Sequence, residues 1–219
     1  RHTRSPGDWS SDVCSSDLLH KIQSLSYGFS GCKLDTVERL IDLFNHHICP
    51  IVYMQGSLGA SGDLVPLAHL CLPLVGLGEV EMNGEVVSGA EMLRRMNWEP
   101  IHLASKEGLA LLNGTQNMSA FAVWCLLRSK RLSAWADRIA AMSLDAYNGL
   151  DMAFNPAVHL VRPHKGQVET ARIISELLQG SEIIKQPKTY VQDPYSFRCI
   201  PQVHGARSEE HTSELQSPG

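Results

Sequence analysis

Residues Gly56–Leu70 are GSLGASGDLVPLAHL, and this stretch is the most informative part of the 219-residue chain. Four small residues, Gly59–Gly62, precede Asp63, and an apolar run with Pro66 in its first turn follows. Because Asp is a favoured N-cap residue and Pro is favoured in a first helical turn, the pattern predicts a tight loop that leads into a helix. A serine-hydrolase elbow, G-x-S-x-G, is not matched, since Asp63 stands where the final glycine belongs. The glycine spacing also fails the dinucleotide-binding fingerprint G-x-G-x-x-G.

Helical periodicity surrounds this stretch. Asp35 and Glu38 form a capping box at the start of an amphipathic helix that ends before Pro50. The segment 117–145 lacks Pro and Gly and keeps an apolar stripe, which predicts the longest helix. Asn83-Gly84, between two short apolar segments, predicts a β-hairpin. Further helices are expected over 88–96, 105–112 and 168–179. The sequence therefore predicts an all-α fold with one small β-hairpin.

Composition excludes several classes of protein. The formal net charge of -4 disfavours nucleic acid or an anionic membrane surface as a partner, because both need a basic excess. No apolar run reaches the roughly 18 to 20 residues that a membrane span requires. The six cysteines lack C-x-x-C spacing, which favours reduced thiols in the cytoplasm, and the ten histidines show no metal-binding spacing. We expect a cytoplasmic protein without a metal ion.

The two ends of the chain differ from its middle. Residues 1–18 and 207–219 are Ser-rich and polar without helical or strand periodicity. They resemble translated sequencing-adapter read-through, and we predict that they are foreign or disordered; two ordinary disordered tails are the alternative. Residues 19–206 are then expected to be a fragment of one helical domain.

The Gly56–Leu70 stretch resembles the signature of the aromatic amino-acid ammonia-lyases, and most closely that of the histidine ammonia-lyases. The resemblance extends over residues 19–206. It includes KEGLALLNGTQ at 106–116, VRPHKGQ at 161–167 and QDPYSFRCIPQVHGA at 192–206. It implies a long-helix bundle of the ammonia-lyase/fumarase type.

The resemblance also implies a prosthetic group. In this family an Ala-Ser-Gly tripeptide, here Ala60, Ser61 and Gly62, cyclises autocatalytically into a 4-methylidene-imidazol-5-one, and no metal or nucleotide is used. Small residues suit this reaction, because the amide nitrogen of Gly62 must reach the carbonyl carbon of Ala60 through a compressed backbone. Asp63 resembles the residue that assists cyclisation. From the residues alone it is a helix N-cap, and it can be both.

Four further residues are candidates for substrate contact. By its sequence pattern, Asn113 begins an Asn-Gly pair that terminates a helix. By resemblance to the family, its side-chain amide lies in the active site. Gln192, Tyr195 and Arg198 recur at i, i+3 and i+6, which predicts that they lie on one side of a helical turn. The alternative interpretation is a polar helix face without a function. By resemblance all three lie in the active site. Arg198 suits a bidentate contact with an amino-acid carboxylate, Tyr195 is a catalytic acid/base candidate, and Gln192 is a hydrogen-bonding partner.

The expected activity is elimination of ammonia from L-histidine to give trans-urocanate. The family assembles as a homotetramer whose active sites combine subunits, and its proton-abstracting Tyr, substrate-selecting His and a further Glu are not found in this chain, so we expect these residues alone to be inactive. A phenylalanine or tyrosine ammonia-lyase, or a tyrosine aminomutase, is an alternative of the same fold, although Gln116 favours histidine. A non-catalytic helical interaction fragment is the alternative from another class.

Overall fold

The computed structural model describes residues 9–53 and 59–213. Two compact units divide the chain, one of residues 1–126 and one of residues 127–219. Each unit has its own hydrophobic core.

The first unit combines short helices with a small sheet. Its elements are, in chain order, α1 (Trp9–Ser26), α2 (Leu34–Asn45), β1 (Cys49–Pro50), α3 (Leu64–Cys71), a 3-10 turn (Leu72–Val75), β2 (Glu79–Met82), β3 (Glu85–Ser88), α4 (Gly89–Met96), α5 (Glu107–Leu112) and the start of α6 (Gln116–Ala146). Its core joins α1, α2, α3 and the sheet through buried side chains that include Leu18, Leu40, Leu43, Leu67, Leu70, Val80 and Met92.

The sheet is antiparallel, in the order β1-β2-β3. The predicted hairpin is confirmed, with Val80 paired to Val87 across β2 and β3. A third strand, β1, was not predicted; it pairs Pro50 with Val80. Two residues, one of them a proline, carry no periodicity from which a strand can be recognised, and this strand exists because its neighbour offers hydrogen-bonding partners.

The second unit continues from α6. Its further elements are a 3-10 turn (Met152–Phe154), α7 (Pro156–Leu160), α8 (Lys165–Leu177), α9 (Tyr195–Arg198) and α10 (Ile200–Ser213). The core of this unit consists of Ala141, Leu144, Phe154, Ile174, Leu178, Ile184 and Ile200. A buried glycine, Gly205, lets α10 lie against α8, since a Cβ there would come within 2.4 Å of the Gln167 nitrogen.

The long helix α6 has 31 residues, which confirms the prediction for 117–145 within one residue at each end. The all-α prediction is likewise confirmed, with a three-stranded sheet in place of the two-stranded hairpin. None of the helices in the described ranges is both long and apolar enough to cross a membrane.

The described parts of the two terminal segments are helical. Residues 9–18 form the first half of α1, and the side chains of Val13, Cys14 and Leu18 are buried. Helix α10 continues beyond residue 206 to Ser213. Helical order therefore extends into both segments, and their foreign origin stays a prediction.

Candidate active site

A tight turn holds the Ala-Ser-Gly tripeptide. The nitrogen of Gly62 donates a hydrogen bond to the oxygen of Gly59 at 3.2 Å, so the chain folds back over Ala60 and Ser61. Both of these residues are exposed, and Gly62 is half-buried. The first three residues of the quoted stretch, 56–58, lie outside the described part of the chain. The turn brings the Gly62 nitrogen and the Ala60 carbonyl into one compact loop, with the Ala60 and Ser61 side chains exposed.

Gly62 is held against Gly114, on the loop between α5 and α6. The two residues form an isolated parallel β-bridge, with the Gly114 nitrogen donating to the Ser61 oxygen at 3.4 Å and the Asp63 nitrogen donating to the Gly114 oxygen at 2.9 Å. Gly62 has φ +86°, and a Cβ there would lie 2.1 Å from the Gly114 oxygen. Only glycine satisfies both the backbone angle and the close approach. The bridge thereby places Asn113 beside the tripeptide along the backbone.

Asp63 caps a different helix from the one predicted. It stands at the N-cap position of α3, but its side chain makes no cap hydrogen bond there. Instead its Oδ2 accepts from the Met118 nitrogen at 2.8 Å, in the first turn of α6. The carboxylate thus satisfies one of the free N–H groups at the start of α6 and lies near the positive end of that helix. At 6% exposure it is shielded from water.

Asn113 ends α5, as its Asn-Gly pattern predicted. Its Nδ2 donates to the Leu109 oxygen at 2.9 Å, and the side chain is exposed. The side chain of Gln116 packs over Gly114, and its buried Oε1 has no hydrogen-bond partner within the described ranges. Two amides therefore lie next to Gly114, on the residues that the sequence analysis singled out.

Two buried charged residues, Lys21 and Glu107, were missed by the sequence analysis. They are 1% and 0% exposed. Lys21 lies between Leu18 and Leu25 on the buried face of α1. A charged residue within an apolar stripe was the feature of the sequence from which its burial could have been predicted. Glu107 begins α5; the helix expected from Ser105 starts two residues later because Lys106 adopts φ +70°.

Glu107 is an anchor for the start of α5. Its Oε1 accepts from the Lys33 nitrogen at 2.8 Å and from Thr36 Oγ1 at 2.9 Å, and Oε2 accepts from the Ala104 nitrogen. Burial raises its pKa, but these hydrogen bonds to the ionised form outweigh it and lower the pKa to about 2. The carboxylate is therefore charged, and it fixes α5 against the start of α2.

The other predicted residues lie in the second unit. Tyr195 and Arg198 are the first and last residues of the single turn α9, and the Arg198 guanidinium carbon lies 4.1 Å from the centroid of the Tyr195 ring. Gln192 precedes the helix and is exposed, so the three do not share one helical face as predicted. Tyr195 is also exposed. The Arg198 Nε is buried and, within the described ranges, has no hydrogen-bond partner.

Asp193 fixes this segment by a contact that was not predicted. Asp193 does not cap α9, since the N-cap residue of that helix is Pro194. The Asp193 carboxylate is 4% exposed, and its Oδ2 accepts from the Leu150 nitrogen at 2.7 Å. Gln192 and Tyr195 thus flank a residue that is tied to the loop after α6.

No group of three or more His, Cys, Asp or Glu side chains in the described ranges is arranged to hold a metal ion.

The family model "Aromatic amino acid lyase" matches residues 8–215. The chain belongs to this family. It is 48% identical over 196 residues to the histidine ammonia-lyase of Caldanaerobacter subterraneus subsp. tengcongensis, an alignment that covers 89% of this chain and 39% of that relative. The resemblance deduced from the motifs is confirmed for the family.

Solved structures of aromatic amino acid lyases and related enzymes share the fold. Histidine ammonia-lyase from Trypanosoma cruzi matches with a TM-score of 0.78 and 37% identity, over 91% of this chain and 37% of that one. Pantoea agglomerans phenylalanine aminomutase matches with a TM-score of 0.83 and 32% identity, over 92% and 42%. This lyase chain therefore spans about two fifths of the proteins it matches.

Proposed function

We propose that the complete protein is a histidine ammonia-lyase, which converts L-histidine to trans-urocanate and ammonia. Family membership and the 48% identity to a histidine ammonia-lyase support this proposal. The observation that carries it is the glycine pair, Gly62 against Gly114, which folds an exposed Ala-Ser pair into a turn beside Asn113.

The residues of the turn fit a prosthetic group made from Ala60, Ser61 and Gly62. Ring formation needs a glycine nitrogen close to a carbonyl carbon two residues earlier, and the Gly59–Gly62 turn compresses this backbone. A Cβ at Gly62 would fill the space against Gly114, whereas a Cβ at Gly59 would meet nothing within 4 Å. The 4-methylidene-imidazol-5-one would supply an electrophile that none of the twenty side chains provides.

The reaction removes a proton from Cβ and the amino group from Cα, and a carbon–carbon double bond forms as ammonia leaves. We assign Arg198 to the substrate carboxylate, because its planar guanidinium can donate two parallel hydrogen bonds. Gln192 and Asn113 are assigned to hydrogen bonding with substrate. Tyr195, exposed at the start of α9, is assigned to proton transfer. Asp63 is assigned to ring formation, next to the Gly62 nitrogen in the chain.

Assembly and location follow the same proposal. Helix α6 exposes a set of large apolar side chains, and we propose that they pack against other subunits of a homotetramer. They include Leu127, Leu132, Trp135, Ile139 and Met142. We place the enzyme in the cytoplasm, since its six cysteines are free thiols.

The test uses the complete protein and follows ultraviolet absorbance as L-histidine is added, with L-phenylalanine and L-tyrosine in parallel. Urocanate formation from histidine alone is the expected result. We also expect Ser61→Ala to abolish turnover nearly completely while the protein stays folded, because one exposed hydroxyl is a small structural change. Unchanged turnover in that variant would refute the prosthetic-group assignment.

An aminomutase or a lyase for phenylalanine or tyrosine is the second candidate. It is favoured by the TM-score of 0.83 to phenylalanine aminomutase, which exceeds that to the Trypanosoma cruzi histidine ammonia-lyase. Analysis of the product from each amino acid separates the candidates. Urocanate from L-histidine indicates a histidine ammonia-lyase, and an unsaturated acid from L-phenylalanine or L-tyrosine indicates a lyase for that amino acid. A β-amino acid indicates an aminomutase.

A further inference from the structure

Lys21 is a buried cation inside the hydrophobic core of the first unit. Its side chain is 1% exposed and lies on α1 between Leu18 and Leu25, which are 1% and 3% exposed. A buried ammonium group is costly unless hydrogen bonds replace the water that it loses. The groups that accept hydrogen bonds from Lys21 therefore show which part of the structure the buried ammonium group stabilises.

Lys21 donates hydrogen bonds to two carbonyl groups at the end of α5. Its Nζ donates to the Ala110 oxygen at 3.3 Å and to the Asn113 oxygen at 3.1 Å. The last carbonyl groups of a helix have no partner within the helix, and a cation there is favoured by the helix dipole. Lys21 thus acts as a C-terminal cap that comes from a distant part of the chain.

The electrostatic surroundings agree with this geometry. Burial lowers the pKa of Lys21, while the nearby carboxylates of Asp17 and Asp63 oppose that shift. Asp17 is fully buried and accepts from Asn117 Nδ2 at 2.9 Å. These carboxylates offset part of the cost of burying the ammonium group.

The capped segment leads directly to the tripeptide loop. Asn113, whose oxygen accepts from Lys21, is followed by Gly114, which exchanges hydrogen bonds with Ser61 and Asp63. Lys21 is thus connected to the turn through Asn113 and Gly114. Because Glu107 anchors the start of α5 independently, losing Lys21 should free the Asn113–Gly114 end while the helix stays attached.

We propose that Lys21 is a positioning residue for formation of the prosthetic group. By fixing the Asn113 carbonyl it holds Gly114 in place, and Gly114 in turn holds Ser61–Asp63 in the conformation from which ring closure proceeds. This inference rests on the proposed function, since it presumes that Ala60, Ser61 and Gly62 cyclise.

The experiment compares Lys21→Met with the wild type in the complete protein. Met keeps much of the side-chain volume but donates no hydrogen bond. Mass spectrometry of the peptide containing Ser61, at intervals after synthesis, measures the fraction that has lost two water molecules. We expect Lys21→Met to slow this loss by about tenfold to a hundredfold, since small displacements of reacting groups have effects of that size. Circular dichroism should show unchanged helical content.

The matched control is Leu40→Ala. Leu40 is fully buried in the same core, on α2, so its truncation destabilises the unit but leaves the hydrogen bonds of Lys21 to the end of α5 in place. Lys21→Arg, which keeps a charged donor, should recover part of the rate. Should Lys21→Met fail to fold, Lys21→Gln replaces it, because its shorter amide cannot reach both carbonyl groups.

The outcomes separate this proposal from the proposed function. Wild-type dehydration with slow dehydration in Lys21→Met, or in Lys21→Gln where that replaces it, and normal dehydration in Leu40→Ala supports the positioning role. Dehydration of the Lys21 variant at the wild-type rate, or equal slowing in Leu40→Ala, overturns it. An intact serine in the wild-type protein contradicts the proposed function itself.

Discussion

Gly59 and Gly62 lie three residues apart, and only Gly62 stands where a side chain would clash. A Cβ at Gly62 would lie 2.1 Å from the Gly114 oxygen, and φ there is +86°; a Cβ at Gly59 would meet nothing within 4 Å. We therefore expect Gly62→Ala to destabilise the fold by more than about 2 kcal/mol and to prevent loss of water at Ser61.

Gly59→Ala is the control, and it should change the free energy of unfolding by less than about 1 kcal/mol. Chemical denaturation and peptide mass spectrometry on both variants measure the two effects. Equal effects of the two substitutions would contradict the importance of the Gly62–Gly114 contact.

Two substitutions distinguish the role of Asp63 as the cap of α6 from its proposed role in ring formation. Asn can still accept a hydrogen bond from the Met118 nitrogen, as Asp63 Oδ2 does at 2.8 Å, but it is uncharged and is not a base. We expect Asp63→Ala to lose about 1 kcal/mol of stability through the lost cap. Asp63→Asn should keep most of that stability but form the prosthetic group more slowly than the wild type.

Thermal unfolding measures the first effect, and the time course of water loss at Ser61 measures the second. If Asp63→Asn formed the group at the wild-type rate, the role of Asp63 would be limited to capping α6.

At the scale of elements, α5 depends on the ionised carboxylate of Glu107. Its pKa is about 2 in the folded protein against 4.5 as the ordinary value, so ionisation favours the folded state. This stabilisation is complete above about pH 4.5 and is lost as the pH falls through the folded pKa. We expect Glu107→Gln to cost about 2 kcal/mol near neutral pH, since hydrogen bonds to a charged acceptor are lost.

The difference in unfolding free energy between wild type and Glu107→Gln should narrow as the pH is lowered from 6 toward 3. Urea denaturation at several pH values measures it. Glu99→Gln, which removes the same charge from an exposed side chain, serves as the control. If the difference in unfolding free energy stayed constant with pH, the shape of Glu107 and not its charge would stabilise the fold.

At the scale of the whole molecule, this chain covers 39% of the length of the histidine ammonia-lyase with which it is 48% identical. The family resemblance implies catalytic residues that lie outside residues 1–219. We therefore expect the purified 219-residue chain to produce no measurable urocanate from L-histidine, whereas the complete protein does. Absorbance assays on both, at equal concentration, test this, and turnover by the 219-residue chain alone would contradict it.

Local patterns in the sequence determined much of the secondary structure. Helix α6 follows from a long segment without Pro or Gly, the β2–β3 hairpin from Asn83-Gly84, and α4 from Ser88, whose Oγ accepts from the Glu91 nitrogen as a capping box predicts. Each rule involves residues a few positions apart, so it applies before the chain is folded. The Ala-Ser-Gly motif likewise indicated the family, because a motif is a local property.

Only the tertiary structure decided how the site is held. The sequence placed Asp63 as the cap of its own helix, yet its carboxylate caps α6, which begins more than fifty residues later. The buried contacts of Lys21 and Glu107 likewise join residues far apart in the chain. Such contacts depend on which segments the core brings together, and a buried charge then takes whichever partners replace its lost water. No pattern of nearby residues contains that information, so these contacts could be found only once the chain was folded.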